Sequence, residues 1–195
     1  VPLDAGLLES CIKKFSIRSL STASIREIVR LSSELEKDSG VPFIRMEMGV
    51  PGLFPNQIGV AAEIEALKRG VASKYPSIEG IPELKAEISR FAKLFMDIDA
   101  PPDNCFPSVG SMQGSFAAFM TAARRDKKKD TTLFIDPGFP VQKQQHKVLG
   151  LKYESFDVYD FRGEKLRAKI ESFLKKGNIS SVIYSNPNNP SWISF

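Results

Sequence analysis

Seven short segments alternate in kind along the second half of the chain, and this alternation narrows the available folds more than any other feature. Residues 105–109 are a short apolar run, residues 110–123 carry a helical pattern, and residues 131–135 are β-branched and apolar. A helical stretch at 141–149, a strand-like run at 152–156, a helix reaching residue 175 and a last apolar run at 179–184 follow. Strand and helix periodicities thus take turns. Parallel strands need a long crossover between them, and a helix is its usual form. The pattern therefore predicts an α/β fold in which helices cover a mostly parallel sheet. In open sheets of this kind ligands collect just past the carboxyl ends of the strands. The loops leaving the predicted strands are where chemistry is to be sought.

Upstream, residues 1–45 read as an arm followed by a helix. Ser24 and Glu27 have capping-box spacing, and Ile25, Ile28, Val29, Ser32 and Leu35 follow at helical intervals. Gly40 is placed to end that helix. Residues 41–48 read as extended and lead into Gly49-Val50-Pro51-Gly52-Leu53-Phe54-Pro55. This loop is consistent with a simple turn, and equally with a backbone that passes close to something bound. A helix over 56–69 is predicted with Ile58, Ala61, Ala62, Ile64 and Leu67 inward and Gly70 at its end. The helix over 83–95 carries Leu84, Ile88, Phe91, Ala92 and Phe95 as one stripe, predicted to be core, with Pro82 in its first turn. In the helix from 110, Met112, Phe116, Phe119, Met120 and Ala123 are predicted to face inward. The expected division is an arm and helix over 1–45 and an α/β domain over 46–195.

The 195 residues are 42% hydrophobic and 26% charged, enough apolar mass for a packed core. The densest charge run, Arg124-Arg125-Asp126-Lys127-Lys128-Lys129-Asp130, has no interleaved aromatics and falls between a helix and a strand. Cations favour a helix C-terminus, so a solvated helix end is predicted there rather than a nucleic-acid surface. Cys11 and Cys105 form neither a disulfide framework nor a CxxC metal pair. No basic-then-apolar leader opens the sequence, and no run approaches the ~18 apolar residues of a membrane span. A soluble cytoplasmic protein is the expectation.

Three strand exits could carry chemistry. Past Val109, Gly110, Ser111 and Met112 open a helix, whose free N–H groups and positive dipole end suit a phosphate. Alone this signal is weak, because it matches neither GxxxxGK[ST] nor GxGxxG. Past residue 135, Asp136-Pro137-Gly138-Phe139-Pro140 puts Phe139 beyond the sheet, where an aromatic can stack on a planar ring or simply join the core. Past Tyr184 comes Ser185-Asn186-Pro187-Asn188-Asn189-Pro190-Ser191-Trp192. Two prolines restrict this loop and hold Asn188 and Asn189 at the strand tip. A carboxamide both donates and accepts, which suits a phenolate-like oxygen beside a carboxylate. Together the three exits describe a seat for a phosphorylated aromatic cofactor.

The ordered set G-V-P-G-L-F-P (49–55), K-Y-P-S-I-E-G-I-P-E-L-K (74–85), V-G-S-M-Q-G (109–114), D-P-G-F-P-V (136–141) and S-N-P-N-N-P-S-W (185–192) resembles the N-terminal part of the class I/II aminotransferases. These are fold-type-I pyridoxal-phosphate (PLP) enzymes. The resemblance runs from about residue 49 to 195. It implies an incomplete large domain of the family's three-layer fold. It implies that Gly110, Ser111 and Met112 hold the cofactor phosphate through backbone N–H groups and that Phe139 stacks on the pyridine ring. It implies that Asn189 bonds the ring's 3-oxygen and the substrate carboxylate, that Gly49 lies near that carboxylate, and that Tyr75 reaches the phosphate of a partner subunit in a homodimer. The family usually continues N-P-T-G where this chain has Asn189-Pro190-Ser191-Trp192, so tryptophan replaces the glycine.

The resemblance also implies a lysine that bonds the cofactor covalently and an acid that faces the pyridine nitrogen. Both are expected beyond Phe195. Lys13 and Lys175 have S-x-x-K spacing but precede the asparagine motif, and His146 reads as a helix-surface residue rather than a base. The implied activity is transfer of an amino group between an amino acid and a 2-oxo acid. The alternatives are a PLP-dependent C–S β-lyase and a non-catalytic domain of the same fold.

Overall fold

The computed structural model describes residues 3–50 and 52–194, in two compact units, Val1–Lys74 and Tyr75–Phe195.

In the first unit, α1 (Ala5–Lys14) and α2 (Ile25–Ser39) pack together around buried Cys11, Ile17, Leu31 and Leu35. The predicted capping box on α2 is present: Glu27 N–H donates to Ser24 Oγ at 3.3 Å and Ser24 N–H to the Glu27 carboxylate at 2.7 Å. That carboxylate also accepts the Ser24 hydroxyl, and these bonds hold Glu27 below the usual carboxylate range. Gly40 ends the helix in the left-handed region, as predicted. Arg45 reaches back over α2, donating to Glu36, Ser33 and the Val29 carbonyl, and so fastens the extended 41–47 segment. Helix α3 (Gln57–Lys68), capped by Asn56, has the predicted extent but not the predicted inward face: Ile58, Ile64 and Leu67 are exposed.

The second unit opens with α4 (Pro82–Met96), entered through Gly80. At φ +97°, with Pro107 only 2.5 Å from where a Cβ would sit, Gly80 has no room for a side chain. Lys85 is buried beside it, over the Phe106 ring. The stripe expected to be core is not: Leu84, Phe91 and Phe95 are exposed, with the tilted rings of Phe91 and Phe95 4.8 Å apart.

Helix α5 (Gly110–Arg125) leads into a three-stranded sheet of β1 (Thr131–Asp136), β2 (Lys152–Asp157) and β3 (Ile179–Ile183), joined by α6 (Pro140–Leu149) and α7 (Glu164–Leu174). The order is β2-β1-β3 and both pairings are parallel. Alternate side chains of β1 serve opposite faces. Leu133 and Ile135 join Phe156, Val158, Phe173 and Ile179 on the α7 side. Thr132 and Phe134 meet Phe119 of α5 and His146 of α6 on the other. Helix, sheet and helix thus form three layers, the α/β arrangement expected, with few strands.

Two further expectations are corrected. Residues 105–109 are not a strand: Cys105 is extended, but among the described residues no ladder partner lies beside the run. An extended segment without a hydrogen-bonding neighbour stays a loop. His146 is not on the surface; it is fully buried, against Phe119 at 4.5 Å and Phe134 at 4.9 Å between ring centroids. Of the predicted inward face of α5, Phe119 and Ala123 are buried while Met112 and Phe116 stay at the edge of exposure.

Candidate functional site

Parallel strands end at one edge of the sheet, so the exits of β1 and β3 are neighbours by construction. Helix α5 runs back antiparallel to β1, which brings its N-terminus to the same edge. Two sets of hydrogen bonds tie the three tips together. Asn188, buried past β3, donates through Nδ2 to the Pro137 carbonyl past β1 at 2.7 Å. Gln145 of α6 donates through Nε2 to the Met112 carbonyl in the first turn of α5 at 2.9 Å, and the Ser115 hydroxyl lies 3.1 Å from Gln145 Oε1.

Capping side chains bond early amides in α1, α2 and α3, whereas α5, like α4, α6 and α7, has none. Val109 offers no cap, and Gly110 enters at φ +72°, a conformation that glycine alone adopts freely. The Gly110 amide turns back to the Ser108 carbonyl at 2.8 Å, and the Val109 amide donates to Gln113 Oε1 at 2.5 Å. Among the described residues no acceptor is placed on the amides of Ser111 and Met112. Those are two orphan donors at the positive end of a 16-residue helix.

Phe139 is the N-cap residue of α6, with its ring partly exposed. Asn189 is exposed just past the buried Asn188, and its side chain has no partner among the described residues. The loop that presents it is held by Asn188, whose Oδ1 accepts the Ser191 hydroxyl at 2.7 Å and whose backbone pairs with Trp192 and Ile193. Trp192, standing where the resemblance expects glycine, has φ +61°. Lys143 reaches from α6 to Asp136 at 2.5 Å and to Ser155 at 3.2 Å, pinning the start of α6 over the end of β1.

Tyr75 is fully exposed. Gly49, in the first unit, is exposed and has nothing within 4 Å of a would-be Cβ, so no described residue passes close to it. Lys175 caps the C-terminal end of α7, which leads into the start of β3, and is therefore at the wrong edge of the sheet for the site. Lys13 lies on the last turn of α1. A cavity of about 390 Å³ also opens at the strand exits, lined by Pro137, Val158, Tyr159, Leu166 and Asn188 on the α7 side. Ser111, Phe139 and Asn189 do not line it.

The donors present match an anionic, flat group: two free amides on a helix dipole, an aromatic face and an unpaired carboxamide. Two supporting residues, Gln145 and Lys143, are not legible in the sequence, because they sit on a helix whose polar residues carry no motif; of the asparagine pair predicted at the strand tip, Asn188 is the buried member that holds the loop and Asn189 the exposed one. For Gln145 the signal is position alone: Gln142, Gln145, His146 and Leu149 share one helix face.

Comparison with known proteins bears on the same loops. The family model for aminotransferase class I and II matches residues 47–191. A (5-formylfuran-3-yl)methyl phosphate transaminase of Methanocaldococcus jannaschii is 29% identical over 85% of this chain and 41% of its own length. An LL-diaminopimelate aminotransferase of Natranaerobius thermophilus is 27% identical over 80% of this chain and 40% of its own length. Among solved structures, an alanine aminotransferase from Pyrococcus furiosus superposes with a TM-score of 0.68 at 26% identity, covering 85% of this chain and 42% of that one. The chain thus spans less than half the length of these proteins. The matched segment contains Gly110, Ser111, Met112, Phe139 and Asn189, and the chain belongs to the class I and II aminotransferases.

Proposed function

We propose that the full-length protein is a PLP-dependent aminotransferase that moves an amino group between an amino acid and a 2-oxo acid. The observation that carries this reading is the uncapped first turn of α5, with free Ser111 and Met112 amides, at the sheet edge where Phe139 and Asn189 also stand. The family is generally PLP-dependent, and the relatives' names are those of transaminases. When bound, the cofactor supplies the electron sink that lets an amino group leave one carbon skeleton and join another.

In this reading the Ser111 and Met112 backbone N–H groups receive the phosphate, and Phe139 covers one face of the ring; Gly110, expected from the resemblance to donate as well, instead shapes the turn, its own N–H being given to the Ser108 carbonyl. Asn189 donates to the ring's 3-oxygen and holds the substrate carboxylate, with the Gly49 backbone beside it. Tyr75 reaches the phosphate of the second protomer, so the active unit is a homodimer. Residues 1–45 belong to the small domain and residues 46–195 to the large one. The covalent lysine falls in the part of the relatives' length that this chain does not span. The protein acts in the cytoplasm; no helix among the described residues is long and apolar enough to cross a membrane.

The test is the purified full-length protein with PLP. A visible absorbance band that borohydride bleaches, together with amino-group exchange between an amino acid and a 2-oxo acid, is the expected result. Asn189→Ala should weaken that exchange roughly ten- to a hundredfold, the worth of a hydrogen bond to a charged group. Release of ammonia and pyruvate without exchange would instead mark a lyase, and a protein that takes up no PLP would mark a non-catalytic domain.

A further inference from the structure

The phosphate turn and the ring-stacking residue belong to different helices, and a cofactor that touches both needs their spacing held. Only a few bonds can do that. Gln145 supplies two: its carboxamide nitrogen donates to the Met112 carbonyl at 2.9 Å, and its oxygen faces the Ser115 hydroxyl at 3.1 Å. A carbonyl can only accept, which settles the orientation of the amide. Ser115 lies equally 3.1 Å from the Met112 carbonyl, so three groups close on one another around the first turn of α5.

The bonded carbonyl has a particular place. Met112 C=O and Gln113 N–H form one rigid peptide unit. A donor on the carbonyl fixes the plane of that unit and so the backbone angle at Met112, whose own N–H, in the unit before, is one of the two receiving amides. The Gln113 side chain meanwhile anchors the Val109 amide, so the turn is held from both sides. Phe139 opens the helix that carries Gln145, six residues upstream, about 9 Å along the axis. Helix α6 therefore acts as a ruler with the aromatic face at one mark and the grip on the phosphate turn at the next. Lys143, between them, holds the ruler to the end of β1.

We infer that Gln145 is a positioning residue for cofactor binding, setting the distance and attitude of the phosphate-receiving amides relative to the Phe139 ring. The inference rests on the reading of this edge as a PLP site. Gln145 touches no substrate or cofactor; it acts through Met112 and Ser115. Its effect must therefore appear in the phosphate's share of binding and not in the ring's.

The experiment compares the affinity of full-length apoprotein for PLP and for pyridoxal, which lacks the phosphate. Wild type is expected to prefer PLP strongly. Gln145→Leu, close in shape but without hydrogen bonds, is expected to lose about tenfold in PLP affinity while pyridoxal affinity changes less than about twofold. Gln145→Glu, which cannot donate to the Met112 carbonyl and sets a negative charge against it, should lose more. Ser115→Ala, which keeps the Gln145 to Met112 bond, should lose only about two- to threefold, and it decides the matter should Gln145→Leu fail to fold. Equal losses for PLP and pyridoxal, or no loss in Gln145→Leu, or none in Ser115→Ala where only that variant folds, would overturn the inference and leave the PLP reading standing. A wild type that binds neither compound, or both alike, would overturn the phosphate seat and the role of Gln145 with it.

Discussion

Trp192 shows how a single position can work against its own backbone. Its φ of +61° lies in the left-handed region, where a side chain costs about 1–2 kcal/mol that glycine does not. The ring is mostly exposed and contributes little packing in return. The backbone is nonetheless committed, because the Trp192 amide donates to the Asn188 carbonyl at 2.7 Å and closes the loop that presents Asn189. Glycine would relieve the strain but add freedom to the unfolded chain, which offsets part of the gain. Trp192→Gly is expected to stabilise the protein by about 0.5–1 kcal/mol, seen as a higher urea midpoint with an unchanged slope. A lower midpoint would mean that the indole makes contacts that its exposure hides.

At the scale of one element, the capping box of α2 offers a titration. Glu27 accepts both the amide and the hydroxyl of Ser24, so its carboxylate form is favoured in the folded state and its pKa lies below the ordinary 4.5. A depressed carboxylate contributes stability that is complete above the unfolded pKa and disappears as the pH falls through the folded one. Glu27→Gln should therefore lower the melting temperature at neutral pH and make less difference as the solution is acidified below about pH 4. Melting curves of both proteins across that range check it. A constant gap at every pH would assign the effect to helix propensity instead. Residues 105–109 teach the complementary lesson. Their composition is that of a strand, yet strand identity is a property of a pair, and no described neighbour supplies the second member.

For the whole molecule, the notable quantity is apolar surface left open. Phe91, Leu94 and Phe95 of α4 and Ile58 and Leu67 of α3 are exposed, and among the described residues no strand pairs with the outer edge of β3. Such surface and such edges bind other molecules. Prepared as these 195 residues, the chain is expected to bind the dye ANS and to self-associate as concentration rises. In the proposed reading, the full-length protein does neither beyond the proposed dimer. Sedimentation and dye titration on the two proteins compare them, and a dye-free monomer of the short chain would show those side chains to be covered from within.

The alternation of periods, the capping box at Ser24 and Glu27, the left-handed glycine at 40 and the order of the loop motifs could all be read from the chain, because each rests on residues within a turn or two of one another. Family membership was legible for the same reason: loop tips that meet a ligand carry short, local signatures. The inward stripes of α3 and α4, the strand at 105–109 and the surface placement of His146 were misread, because burial depends on what lies opposite. In α6 the usual pattern is inverted: His146 is buried, bonded to Thr132 at 2.9 Å and to the Gln142 carbonyl at 3.0 Å, while Val148 faces solvent. A polar side chain can enter a core when partners from other segments satisfy it, and no count of hydrophobic residues announces those partners. Local chemistry is written along the chain; who stands across from whom becomes a fact only when distant segments are brought within hydrogen-bonding reach.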